Sequence, residues 1–188
     1  MLDIPKKMMV VNLIVSQLLL IVLAVILQFI FNKQLCFEEI FLLNFTTYTI
    51  FIGIFSSVLL LLIQLAFFKF ISAERLFEQI NAYLLQNFSL KELSLIFLVG
   101  AISEEFLFRA TIQPKIGILL GSLIFTVVHF RYLRKILILI EVFIIGLVLG
   151  LSYYLTSSIW VPIFCHFLVN LTTAFLYKIG YLSLDNYS

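Results

Sequence analysis

The stretch LSLIFLVGAISEEFLFRATI, residues 93–112, decides the fold. It is long and apolar enough to cross a hydrocarbon layer of about 30 Å as a helix. Yet Glu104, Glu105 and Arg109 lie inside it. A charge at the bilayer centre costs roughly 2.5–3.5 kcal/mol on insertion scales. Three within six residues imply a helix that turns them onto protein or into a wet cavity, where intramembrane charges usually carry function.

Outward from this stretch the chain repeats the same apolar length. Of its 188 residues, 63% are hydrophobic and 12% charged, and mean hydropathy is +1.19. A soluble domain is about 45–50% apolar and about 25% charged. The excess falls into runs and not into one core, which predicts an all-α, polytopic membrane helix bundle. Six spans are read: 8–31, 45–70, 93–113, 116–132, 136–156 and 158–179. Lys6 and Lys7 precede an apolar run longer than the about 7–15 residues of a signal peptide, so an uncleaved first span is expected.

The basic residues set the expected orientation. With the N-terminus in the cytoplasm, the inside segments hold Lys6, Lys7, Lys69, Arg75, Lys91, Arg131, Arg134, Lys135 and Lys178, and the outside segments hold only Lys33 and Lys115. That bias favours both termini inside, as in a bacterial cytoplasmic membrane. The net charge of +2 is too small to suggest nucleic acid. Cys36 and Cys165 offer neither a disulfide framework nor a CxxC metal site. The connection from Ile71 to Glu92 has apolar residues at Leu76, Phe77, Ile80, Tyr83, Leu84 and Phe88, which predicts an amphipathic helix on the cytoplasmic surface. Ser89 three before Glu92 is a capping-box spacing. The chain reads as one membrane-embedded domain, with residues 1–92 as accessory helices and connection and residues 93–179 as a four-helix catalytic core.

Glu105 and Arg109 are four apart with the acid first, the favourable order for a helical ion pair. Glu104 is rotated about 100° from Glu105 and has no partner on its own helix, which leaves it free to act as a general base or acid. Phe125 and His129 share a face of the fourth span, and His166 and Asn170 share a face of the sixth. The last pair could hold the oxygen of a tetrahedral intermediate. At about 1.5 Å per residue, Glu104, His129, His166 and Asn170 all fall about 12–20 Å from the outer ends of their spans, and so can meet at one level. Gly117, Gly121, Gly146 and Gly150 have small-xxx-small spacing that would let helices approach closely. Asn12, Gln17, Gln28 and Gln64 are expected to bond between helices, Glu141 to be interfacial and Cys165 to be a packing thiol.

These motifs, EE-x-x-x-R at Glu104, Glu105 and Arg109, F-x-x-x-H from Phe125 to His129 and H-x-x-x-N from His166 to Asn170, resemble the CPBP family of intramembrane proteases, which includes type II CAAX prenyl endopeptidases and bacteriocin-processing (Abi) proteins. The stretch FIIGLVLGLSYYLTSSIWVPIFCHFLVN, residues 143–170, resembles the penultimate and last core helices of that family. The resemblance covers residues 93–179. It implies hydrolysis of a peptide bond in a membrane-associated peptide or protein, as in bacteriocin processing or self-immunity. Glu104 would be the base and His129 would bind and polarise the water. His166 and Asn170 would form the oxyanion hole, and Glu105 and Arg109 would brace the site. No cofactor is expected. One Glu and two His is also the ligand set of a catalytic zinc, and this stays open as the less favoured mechanism because HExxH is absent. Two other functions stay open: a non-catalytic immunity or interaction protein on the same scaffold, and, less favoured, a proton-coupled transporter.

Overall fold

The structure, a computed structural model, describes residues 4–33, 37–129 and 135–182; for Ala73 and Glu74 it describes the backbone alone. Cys36, Arg131, Arg134 and the end of the fourth predicted span lie outside the described residues. The helices are α1 (Lys6–Asn32), α2 (Phe37–Ile40), α3 (Thr47–Phe70), α4 (Ala73–Leu76), α5 (Gln79–Asn87), α6 (Leu90–Glu105), a π-helical stretch (Phe106–Ile112), α7 (Gln113–Val128), α8 (Ile136–Thr156) and α9 (Trp160–Lys178). No strand occurs among the described residues. The protein is an all-α integral membrane protein. α1 buries only Met9, Ala24 and Gln28. It turns Leu19, Phe29 and Ile30 outward, as α3 does Phe51, Ile54 and Leu62. An apolar surface of that extent belongs in lipid.

Five segments are long and apolar enough to cross a membrane, where six were expected. The difference lies in residues 90–128, a single stretch of 39 residues that is broken into two helical arms at Gly117. That run is folded on itself. The Phe108 and Phe125 rings lie 5.0 Å apart, whereas a straight helix would separate them by about 25 Å. A Cβ on Gly121 would sit 3.6 Å from the Gln113 Cα. The bend is at Gly117, with φ 82° and ψ 171°, a region essentially closed to residues with a Cβ. Gly117 is therefore a turn residue, with nothing within 4 Å of where its Cβ would be, and not the packing residue its spacing suggested. The packing glycines are on α8, where a Cβ on Gly146 would meet Ser122 at 3.3 Å and one on Gly150 would meet Gln113 at 2.8 Å.

The two ends of the bundle differ. One end gathers the start of α1, α5, the start of α6 and the end of α9. There Lys6 pairs with Glu92 at 2.8 Å, the Tyr83 hydroxyl donates to Ile4 O at 2.6 Å, and Lys178 donates to Leu85 O at 2.7 Å. Ser89 and Glu92 form the expected capping box. The connection is helical, but its apolar side does not face lipid. Tyr83, Leu84 and Phe88 are buried against Met9, Leu93 and Ala174, so α5 closes the end of the bundle. At the opposite end the Trp160 indole donates to Phe41 O at 3.0 Å, and Phe37 and Phe41 pack on Phe106.

Polar side chains tie the outer helices to the inner ones. Gln28 donates to Ala110 O at 2.9 Å and to the Thr111 hydroxyl at 3.2 Å. Gln17 accepts from Ser103. Gln64 donates to Val169 O at 3.1 Å and to Thr173. Three of the four amides read as inter-helix glue thus act as such. Cys165 is buried and takes a hydrogen bond from Ser57 at 3.2 Å, as a packing thiol does.

The bend gives a test of the hairpin. Gly117→Ala is expected to cost about 1–3 kcal/mol, the usual cost of a side chain in that backbone region. Gly121→Ala, with its nearest contact at 3.5 Å, should be close to neutral. Thermal unfolding of both variants in detergent separates them.

Candidate active site

The site grows from the step between α6 and the π-helical stretch. Glu105, the last residue of α6, is fully buried, as is Arg109 one turn on. The Arg109 Nε donates to Glu105 Oε2 at 2.8 Å. Glu105 Oε1 lies 2.8 Å from Nδ1 of His166 on α9. A carboxylate held by a guanidinium is an acceptor, so the His166 Nδ1 carries the hydrogen and donates it. The guanidinium also stacks 4.9 Å from the Phe125 ring, and Phe125 packs against His166 at 6.2 Å and His129 at 4.7 Å. Phe125 is thus the ring around which the site's cationic and imidazole groups are arranged.

His129 caps the end of α7. Its Nδ1 lies 2.7 Å from Phe125 O. A carbonyl oxygen can only accept, so this Nδ1 also carries the hydrogen. The arm from Gly117 to His129 rises about 18 Å, less than the about 30 Å of a hydrocarbon layer. The Nε2 atoms of His129 and His166 each lie 3.9 Å from Glu104 Oε2. Unlike Glu105, Glu104 keeps about 20% of its side chain exposed, and His129 keeps 21%.

Glu104, Glu105, Arg109, Phe125, His129 and His166 therefore meet, although they come from three separate helical arms. Asn170 lies one turn beyond His166, is half-buried and makes no hydrogen bond to a described residue. The expected Glu105–Arg109 pair is present. The contact of Glu105 with His166 was not foreseen, because nothing in one sequence says which face of α9 meets which face of α6. Glu141, read as interfacial, is buried on α8. The π-helical stretch, a feature often found at functional sites, and the clamp of Gln28 upon it have no sequence signal. Among the described residues no three His, Cys, Asp or Glu side chains form a group that could hold a metal ion. Glu104, His129 and His166 are right in kind for zinc but do not form such a group.

The half of the chain that builds this site has recognisable kin. Residues 86–172 match the family described as type II CAAX prenyl endopeptidase Rce1-like. Those residues are similar to that family. The chain is also 35% identical over 120 residues to a Bacillus subtilis (strain 168) protein called Uncharacterized protein YpbD, a match that spans 63% of this chain and 63% of that one. No solved structure matches. The Rce1-like region takes in all seven site residues, from Glu104 to Asn170. It leaves out α1 and α3, which bond to the helices of the site through Gln28 and Gln64.

Glu104 and Glu105 should separate in stability. Arg109→Leu leaves Glu105 a buried charge short of one partner and is expected to cost about 3–5 kcal/mol. Glu104→Gln, at a part-exposed position with no bond under 3.5 Å, should stay within about 1 kcal/mol. Denaturant unfolding in detergent measures both.

Proposed function

We propose that the protein is an intramembrane endopeptidase in which Glu104 activates a water molecule to hydrolyse a peptide bond. One observation carries the reading. Both imidazoles commit Nδ1–H elsewhere, to Phe125 O and to Glu105, and turn Nε2 toward the same Glu104 oxygen at 3.9 Å. One carboxylate oxygen with two imidazole nitrogens 3.9 Å from it suits a ligand that both donates and accepts protons. A water molecule meets that need and is the nucleophile of a hydrolase.

The chemistry follows from the groups present. Glu104 takes a proton from water while the water oxygen attacks the peptide carbonyl carbon. His129 holds and polarises that water through Nε2. The carbonyl oxygen becomes an oxyanion. Asn170 can donate to it, and His166 can donate from Nε2 when doubly protonated, with the Glu105 carboxylate at Nδ1 to balance the charge. Glu104 then returns the proton to the leaving amine as the C–N bond breaks, giving a carboxylic acid and an amine. Glu105 and Arg109 touch no reacting atom in this scheme: they orient His166. Water positioned by a base commonly contributes about 10²–10⁴-fold to rate.

The substrate in this reading is a peptide or protein segment delivered in or beside the bilayer, because the site lies at membrane depth. The basic end of the bundle, closed by α5, faces the cytoplasm, as the excess of Lys and Arg there favours. The Rce1-like family is described by its action on prenylated CAAX proteins. A broader peptide class is proposed here. The carboxylate–imidazole set works without a metal in this scheme.

Comparison of the proteomes of cells carrying wild type and Glu104→Gln tests the reading. Uncleaved precursors should accumulate in the variant, and the purified variant should cleave those precursors at least about 10²-fold more slowly while keeping its Tm. Equal cleavage by the two proteins would end it. Activity of the purified wild type is expected to survive EDTA. Loss on chelation with recovery on zinc would replace the metal-free scheme with a zinc one.

A further inference from the structure

The seam between the folded hairpin and α8 holds buried polar atoms that no described residue satisfies. They are Nη1 and Nη2 of Arg109, Oε1 of Gln113 and Oγ of Ser122. Arg109 and Ser122 are fully buried and Gln113 is 5% exposed. In native proteins more than about 90% of buried polar groups have a partner, and an unmet one costs about 1–3 kcal/mol. Four such atoms in one seam are not a random scatter.

Their positions can be traced along α8. Gln113 donates through Nε2 to Gly150 O at 2.8 Å, which leaves Oε1 as the unmet atom. Oε1 would lie 2.8 Å from a Cβ on Gly150. One turn along α8, a Cβ on Gly146 would meet Ser122 Cβ at 3.3 Å and Phe125 Cδ1 at 3.4 Å. Side chains one turn apart on a helix are about 5–6 Å apart at Cβ. The Arg109 guanidinium then lies on Phe125. Gln113, Ser122 and Arg109 thus mark successive steps from the Gly117 bend to the back of the Glu105–His166 pair. The two α8 glycines leave the room that a side chain would fill.

The donor and acceptor types identify the ligand. Arg109 offers donors only, the Gln113 oxygen accepts only, and the Ser122 hydroxyl does either. An anion would suit Arg109 and be repelled by the Gln113 oxygen, and a cation would meet the reverse conflict. Water both donates and accepts, and buried water typically takes about three such partners. We propose that the seam lined by Gln113, Ser122 and Arg109 is a binding track for ordered internal water, running from the Gly117 end of the hairpin to the Arg109 guanidinium. It approaches the site from behind Phe125, away from the part-exposed Glu104 and His129. The proposal stands on burial and hydrogen bonding, and so does not depend on the chain being a protease.

Ser122→Ala removes one oxygen and nothing else, in a position that contacts neither Glu104 nor the imidazoles. Two readouts on the full-length protein in detergent decide the matter. The first is Tm. Loss of a water-bound hydroxyl should lower it by roughly 2–4 °C, whereas removal of an orphan hydroxyl from dry packing should raise it. The second is X-ray radiolytic hydroxyl-radical labelling, which oxidises side chains beside bound water. Phe125 should label above the dry reference Leu149 in wild type, and that labelling should fall in Ser122→Ala even though any water at Glu104 is untouched. An unchanged or higher Tm, or Phe125 labelling that the substitution does not reduce, overturns the proposal.

Discussion

The buried carboxylate of Glu105 is the hinge of the whole arrangement. It accepts from Arg109 on its own helix and from His166 on α9. A charge taken out of water is costly, and its pairing offsets that cost only when its remaining acceptor positions are filled. Here both oxygens are used. Because the two donors come from opposite directions, Glu105 also fixes relative positions: α6 cannot rotate without losing one bond, and His166 cannot choose its other tautomer without losing the second. Arg109, held in turn, lies on Phe125, and the Phe125 carbonyl sets the ring of His129. One buried acceptor thus propagates order through two helical arms to an imidazole it never touches.

The bilayer dictates how such a set can be assembled. Backbone polar groups must be satisfied within the hydrocarbon, so irregular structure is confined to places where protein covers it. The π-helical stretch is such a place. It lies under Gln28, which donates to Ala110 O, and its Thr111 hydroxyl accepts from Gln28 while donating to Phe106 O. α1 has little buried surface, yet its one buried amide lies on the turn that carries Arg109. The accessory helices, which fall outside the Rce1-like region, therefore brace the geometry of the part that lies within it.

Much of this was legible in the sequence, and the reasons differ by feature. Ionisable residues are so rare in apolar spans that Glu104, Glu105, Arg109, His129 and His166 announce themselves, and helical spacing correctly paired Glu105 with Arg109. Hydropathy found the spanning segments but broke residues 90–128 at the polar Gln113–Lys115 step, where the helix in fact continues to Gly117. Proline in the first turn of α7 is compatible with helix; only glycine could adopt the bend. Periodicity found the apolar face of α5 but not what covers it, because lipid and protein interior demand the same residues. The meeting of Glu105 with His166 depends on how α6 and α9 are rotated about their axes, and a single chain carries no direct record of that.

Two neighbouring glutamates meet opposite fates for a simple geometric reason. Successive residues on a helix point about 100° apart, so Glu105 can face α9 while Glu104 faces the gap between α7 and α9. The first is sealed and fully paired; the second keeps solvent access and has two imidazole nitrogens at 3.9 Å. A group sealed between two donors has no room for a further partner, and a group open on every side would have no neighbours to help it hold one. Placing the two side by side lets one helix turn supply both a rigid anchor and an open carboxylate. The order of the pair also matters. Arg109 is four residues beyond Glu105 and five beyond Glu104, so exchanging their roles would require the arginine to move as well, and with it Phe125 and the ring of His129.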